Sequence, residues 1–303
     1  MKYLYYLVLS IVVSACGYVV INNEMHPYNL PVAPKNPPES DNETTYATGL
    51  SHPAEGWQET AEFDVVATME TLPNSYDWND EARLQPIRNQ GGCGSCWSFA
   101  TVAVVESLTR ITKPIQDRVD FSEQHLVSSC CNEGTCSGGF FTAFNCIKVG
   151  VPDESFDPYL ARNSACKAGG KAVATVTRWA YVGDKHGAST DQIKAAILKH
   201  GPVAVDVDGS GAFQSYKSGV FTACGSSSTN HMTVLDGWVD DAKYGGGGYW
   251  LMRNSWGKGW GEKGYMRIAY KARDGSKCNG IGNYAAYAVV DGIEDLQEHL
   301  GMK

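Results

Sequence analysis

Cys16 lies in an N-terminal stretch considered below, and setting it aside leaves nine of the ten cysteines: Cys93, Cys96, Cys130, Cys131, Cys136, Cys146, Cys166, Cys224 and Cys278. In an oxidising compartment an odd number leaves one thiol outside disulfides, as a bridge to a second chain or as a reactive group. A thiol of pKa about 8.5 is mostly protonated at neutral pH, and only the thiolate attacks a carbonyl well. Two surroundings lower that pKa: a helix N-terminus, where unpaired N–H groups and the dipole favour an anion, and a neighbouring imidazolium. Cys96 meets the first condition. Phe99, Val102, Ala103 and Glu106 are spaced for a helix from about Ser95 to Ile111 with one buried face and an edge, which puts Cys96 in its first turn. Cys93 and Cys96 form the only C-x-x-C pair, so a zinc site is disfavoured.

The rest of the chain must position such a group. Lys+Arg number 25 against 33 Asp+Glu, a formal charge of -8 that offers no general attraction to nucleic acid. Hydrophobic residues at 43% with charged residues at 19% exclude a largely disordered chain, and 33 glycines suit a turn-rich α+β protein better than a helical bundle. Residues 1–16 read as a secretory signal peptide: Lys2, an apolar run from Leu4 to Val13, then Ser14 and Ala15. The run is shorter than the roughly 20 residues a bilayer needs. A retained anchor, or a lipoprotein signal that makes Cys16 the lipidated first residue, is the alternative, and only these would bring the chain to a membrane.

Residues 17–71, with Pro27, Pro31, Pro34, Pro37 and Pro38, look like a Pro-rich linker or prosegment without a long helical pattern. Asn42-Glu43-Thr44 fits the N-glycosylation pattern. Further helices are predicted from Ser122 (as N-cap) to Ser129, from Phe140 to Val149 and from Thr190 to Lys199. Strands are predicted over Val173–Tyr181, Val203–Val207, His231–Val239, Tyr249–Asn254, Tyr265–Ala269 and Ala285–Val290. Helices first and strands second imply an α+β domain over 72–290. It would have two lobes, about 78–171 mostly helical and about 172–290 mostly antiparallel β. In the extension 291–303, Asp291 and Glu294 have capping-box spacing, and Ile293, Leu296 and Leu300 repeat helically, which predicts a short packed helix.

Gln90-Gly91-Gly92-Cys93-Gly94-Ser95-Cys96-Trp97 contains C-G-[SA]-C-[WY], and here the chain resembles the papain-family, cathepsin-like cysteine proteases. Five more blocks agree, in order: Leu72 to Trp78, Phe121-Ser122-Glu123-Gln124, Cys136-Ser137-Gly138-Gly139, Asn230-His231, and Asn254-Ser255-Trp256-Gly257 with Gly259-Trp260-Gly261. The resemblance implies a papain-like fold whose helical left lobe and β-barrel-like right lobe flank a cleft. It makes Cys96 the nucleophile, His231 its imidazolium partner and general acid/base, and Asn254 the residue that orients His231. Trp256 would shield the His231–Asn254 bond, and Gln90 would join the Cys96 N–H in binding the oxyanion. The other six histidines read as ordinary residues. Extra length between His231 and Asn254 can sit in the Lys243 to Gly248 hairpin.

The resemblance also suggests disulfides Cys93–Cys136, Cys166 with Cys130 or Cys131, and Cys224–Cys278, and Cys146 is then expected to pair with whichever of Cys130 and Cys131 remains. It puts the specificity pocket on Phe140, Phe141, Asp206, Met232 and Tyr284, with Gly138 and Gly139 beside the substrate backbone. An apolar pocket is expected, with Asp206 satisfied by the Tyr284 hydroxyl; the alternative is that Asp206 pairs with a substrate Arg or Lys. The function implied is a secreted cysteine endopeptidase made as a zymogen, needing no metal or organic cofactor, cut near Met69-Glu70-Thr71, in an extracytoplasmic or lysosome-like compartment. Its partners would be protein or peptide substrates and inhibitor proteins, and it would be a monomer. A cathepsin B- or X-like exopeptidase and a non-cleaving peptide-binding relative are the alternatives.

Overall fold

A computed structural model describes residues 45–66, 71–79, 84–113 and 119–301, and the backbone of three short strands nearer the N-terminus. Those strands, β1 (Val13–Ser14), β2 (Tyr18–Ile21) and β3 (Glu24–Pro27), form an antiparallel meander within residues 1–38, a unit described by itself. The signal-peptide and Cys16 expectations, apart from the two residues of β1, fall outside the described residues, as do Asn42 to Thr44 and Met69-Glu70.

Residues 39–303 make up the second unit. Its central helix α1 (Cys96–Thr112) is buried on nearly every side rather than along one face, and Glu106, expected at an edge, is 1% exposed. A helix apolar all round belongs in a core. Here helices cover one side and the sheet covers the other. The helix α2 (Glu123–Val127) is capped by Ser122, whose hydroxyl accepts the His125 N–H at 2.9 Å. A 3₁₀ turn over Phe141–Ala143 leads into α3 (Phe144–Val149). The helix α4 (Thr190–His200) starts with a full capping box between Ser189 and Gln192. The final helix, α5 (Leu296–His299), is a single turn that buries Leu296. Its N-cap is Asp295 rather than Asp291, which has φ 53° in the turn before it and pairs with Lys113.

The strands that build the sheet are β4 (Phe63–Asp64), β5 (Ser75–Asp77), β8 (Val176–Val182), β9 (Val203–Val207), β10 (Val220–Phe221), β11 (His231–Asp240), β12 (Gly248–Arg253), β13 (Tyr265–Ala269) and β14 (Ala285–Val290). Between them in sequence, β6 (Gly134–Thr135) and β7 (Gly138–Gly139) form a separate small ribbon. The main order is β10-β13-β12-β11-β9-β14-β8-β4, with β5 pairing the second half of β11. All neighbours are antiparallel except β10/β13 and β4/β8 at the two ends. The fold is therefore α+β, and the sheet stays open instead of closing into a barrel. One end strand, β4, comes from the Pro-rich segment that the sequence marks as a linker or prosegment.

Among the described residues four disulfides, Cys93–Cys136, Cys130–Cys166, Cys131–Cys146 and Cys224–Cys278, bind the loops, and Cys96 is the free cysteine. The adjacent cysteines Cys130 and Cys131 thus diverge to two partners. The choice left open for Cys166 falls on Cys130.

Candidate active site

The chain turns into α1 through Gly94 and the N-cap Ser95, just after the bridged Cys93, so Cys96 is delivered to the first turn with no exposed surface. Gln90 is fixed from three sides. Its Oε1 accepts the Ser255 hydroxyl at 2.7 Å, and its backbone N–H donates to the Ser255 carbonyl at 2.8 Å. Its amide Nε2 donates to the Cys93 carbonyl at 2.9 Å, which leaves the second amide hydrogen directed into the cleft. The Tyr159 hydroxyl donates to the Gln90 carbonyl at 2.8 Å and lies 2.6 Å from the Ser95 hydroxyl, so one side chain braces both the N-cap and the glutamine. Sequence reasoning missed Ser255 and Tyr159 as supports. The quoted Asn254 to Gly257 block contains Ser255, but nothing in the sequence marks Tyr159.

His231 opens β11 and Asn254 follows β12, and the antiparallel pairing of these strands brings the two together across 23 residues. Residues 241–247 form the hairpin turn between the two strands. The His231 Nε2 lies 2.8 Å from Asn254 Oδ1, which also accepts the Ser255 N–H at 2.8 Å. An oxygen at that position fixes the neutral tautomer as Nε2–H, so Nδ1 keeps a free lone pair. The Trp256 ring stacks over His231 with centroids 4.5 Å apart and is 2% exposed, which keeps water from the His231–Asn254 bond.

Residues 45–52 of the Pro-rich segment occupy the cleft. Tyr46 stacks on Trp256, and the Ala47 carbonyl accepts from both Trp256 Nε1 at 3.0 Å and Gln90 Nε2 at 3.1 Å. Gly139 donates its N–H to the Gly49 carbonyl at 3.0 Å and accepts the Ser51 N–H at 2.9 Å, a parallel bridge centred on Leu50. Gly49 must be glycine, because a Cβ there would stand 1.9 Å from the Gly94 carbonyl oxygen. Burial under this cover pushes the Cys96 thiol up to about 12, only partly offset by N–H groups of Met232, Gly49 and Trp97 near the sulfur. Burial also pushes His231 down to about 4 against the Asn254 hydrogen bond. With the cleft filled, both groups are neutral across the physiological range.

The pocket differs from expectation in its polar floor. Phe140 and Tyr284 face each other across Trp57, with ring centroids 5.1 Å from it, whereas Phe141 packs behind Phe140. Asp206, beside Met232 in the β9/β11 ladder, is fully buried, and burial pushes it up to about 7. Its partners are the Tyr284 backbone N–H and the Thr229 hydroxyl, each at 2.8 Å, and not the Tyr284 hydroxyl, which accepts from Gln58 at 3.1 Å. The phenol points toward the segment, so the nearest donors to the carboxylate are main chain and Thr229. Because the Thr229 hydroxyl proton goes to Asp206, Thr229 Oγ1 can only accept from His52 Nε2, 3.1 Å away.

Comparison with known proteins finds relatives along most of the chain. The family model described as papain family cysteine protease matches residues 72–289. Ananain from Ananas comosus is 37% identical over 239 residues, covering 77% of this chain and 66% of its own length, so the chain spans just under two thirds of that relative. Among solved structures, a recombinant stem bromelain precursor aligns with a TM-score of 0.68 at 34% identity, covering 81% of this chain and 78% of that one. The digestive procathepsin L2 proteinase of Tenebrio molitor larval midgut aligns with a TM-score of 0.70 at 29% identity, covering 80% and 78%. The match takes in the α+β fold, the loop before α1 and the strands that carry His231 and Asn254: the chain belongs to the papain family of cysteine proteases.

Proposed function

We propose that the chain is the zymogen of a secreted cysteine endopeptidase. Once the cleft is vacated, water reaches Cys96 and His231, and the proton moves from sulfur to Nδ1 to give a thiolate beside an imidazolium. The thiolate adds to a peptide carbonyl, and the oxyanion is held by Gln90 Nε2–H and the Cys96 N–H. Such donors typically supply about 2.7 to 4 kcal/mol each. Collapse of this intermediate breaks the C–N bond as Nδ1 gives its proton to the leaving amine, leaving a thioester. Water, deprotonated by Nδ1, then attacks the thioester, and the acid departs as sulfur is released. Asn254 keeps Nε2–H engaged throughout, so the proton shuttles only at Nδ1.

The observation that carries the endopeptidase reading is the path of the segment itself. It enters beside Trp256, crosses Cys96 in extended form and continues past Tyr284, with polypeptide on both sides of the thiol. A cleft that accommodates chain in both directions favours internal cleavage over an exopeptidase. The presence of Gln90, Cys96, His231 and Asn254 together favours cleavage over mere binding. The segment brings the Gly49 N–H near the sulfur, and that N–H donates to the Asn230 carbonyl at 3.1 Å. Four disulfides favour an oxidising compartment.

The test is to label purified, processed protein with a thiol-directed epoxide and map the modified peptide. Modification confined to Cys96 with loss of internal cleavage of a protein substrate, and a Cys96→Ala variant that folds but is inactive, are expected. Turnover by that variant within tenfold of the parent would defeat the reading. Active material is expected to begin near Leu72, and an N-terminus before His26 would count against the zymogen.

A further inference from the structure

Past His52 the segment sets Trp57 between Phe140 and Tyr284 and then runs along a second surface, the outer edge of β8. The Tyr181 N–H donates to the Glu62 carbonyl at 2.9 Å and the Gly183 N–H to the Asp64 carbonyl at 2.8 Å, which sets Phe63 opposite Tyr181 in the parallel β4/β8 pair. Side chains add to this main-chain pairing. The Phe63 and Trp57 rings lie 5.2 Å and 5.1 Å from the Tyr181 ring, and Val66 is buried. Charges match as well. Arg178 lies 2.7 Å from Glu62 and 3.8 Å from Asp64, Lys185 lies 3.2 Å from Glu59, and the Tyr287 hydroxyl donates to Asp64 at 2.6 Å.

The two parts of the segment differ in kind. Over Cys96 it brings Thr48, Gly49 and Ser51 and main-chain bonds that any extended peptide could make, with Tyr46 on Trp256 and the partly buried Leu50 as its larger groups. Along β8 it adds Phe63 on Tyr181 and the buried Val66, and burial of their apolar area strengthens the docking. In strand addition, main-chain bonds give affinity and alternate side chains give selectivity, while exposed ion pairs add salt sensitivity more than strength. We infer that the β8 edge is an exosite for an extended strand of aromatic and acidic residues, filled here by this chain's own residues 57–66, and that docking there keeps residues 45–52 over Cys96.

The inference rests on reading residues 45–52 as the occupant of the cleft. Its test follows thiol modification rather than hydrolysis, so a protein without peptidase activity would sink the functional reading and leave this one standing. In the full chain, a Glu62→Ala/Phe63→Ala variant should be alkylated at Cys96 by iodoacetamide at least tenfold faster than the parent at pH 7.5. Deuterium exchange should quicken at the Tyr181 and Gly183 amides and stay unchanged within α1, which separates local undocking from unfolding. Raising salt from 0.05 to 1 M should speed labelling of the parent a few-fold. Labelling within twofold of the parent, or faster labelling with the two β8 amides still protected, would overturn the exosite.

Discussion

Gly49 and Gly94 meet so closely that a single methyl group separates a covered thiol from an exposed one. A Gly49→Ala change puts a Cβ within 1.9 Å of a backbone oxygen that has nowhere to go, so the segment must rise. Cys96 in that variant should react with iodoacetamide at least tenfold faster at pH 7.5. In the parent the rate should climb only as pH approaches the thiol's displaced value of about 12. A parent whose labelling already levels off near pH 8 would show that the thiol is not covered. The polar support of Gln90 gives a second expectation. Ser255→Ala removes the donor that fixes the amide, and kcat of the processed protein should fall about tenfold with KM little changed, less than the loss on removing an oxyanion donor outright. Cys96, His231 and Asn254 were legible in the sequence because their neighbours form ordered motifs. Thr229, Tyr159 and the residues 46–51 were not. Each acts through a long-range contact, and no local pattern announces a threonine hydroxyl committed to a buried carboxylate.

The elements carrying the site are tied together beneath it. Arg253 of β12 reaches Asp236 of β11 at 3.0 Å and the Ser107 hydroxyl of α1 at 2.8 Å, all buried, so the strands bearing His231 and Asn254 are locked to the helix bearing Cys96. Arg253→Ala strands a buried carboxylate and should lower stability by about 3 kcal/mol or more. Arg253→Met with Asp236→Leu should recover most of that loss. Chemical denaturation of the three proteins decides, and equal stability of parent and single variant would mean that the lock is idle. Helices and the long strands could be read from apolar spacing to within a few residues at each end. β8 starts at Val176 rather than Val173 because Val173 is half exposed in a loop. Two-residue strands such as β4 and β10 are too short to show alternation, and they exist only because a neighbour pairs with them. The cap of α5 moved because positive φ at Asp291 uses that residue in a turn.

Across the molecule, burial sets a pH dependence whose sign follows from its groups. Glu106, Asp206 and Asp236 are raised to about 7 and Glu154 to about 8, and Glu123 and Asp157 are raised too, while His125, His200 and His231 are lowered. A raised carboxyl costs stability as pH climbs from its unfolded value near 4 through its folded value. A lowered imidazole costs stability as pH falls through about 6.5. From pH 8 to 5.5 the carboxyls recover more than the imidazoles lose, so Tm should be higher at pH 5.5, and calorimetry showing a steady fall over that interval would refute it. The position of β4 at the end of the sheet has a further consequence, for solubility. In the processing proposed above residues 45–66 depart, β8 becomes the outer strand with the Tyr181 and Gly183 N–H groups unpaired, and such an edge recruits other strands. Arg178 is then the charge that guards it against edge-to-edge association. The processed protein should scatter more light than the full chain at equal concentration, and an Arg178→Val substitution should make it aggregate sooner.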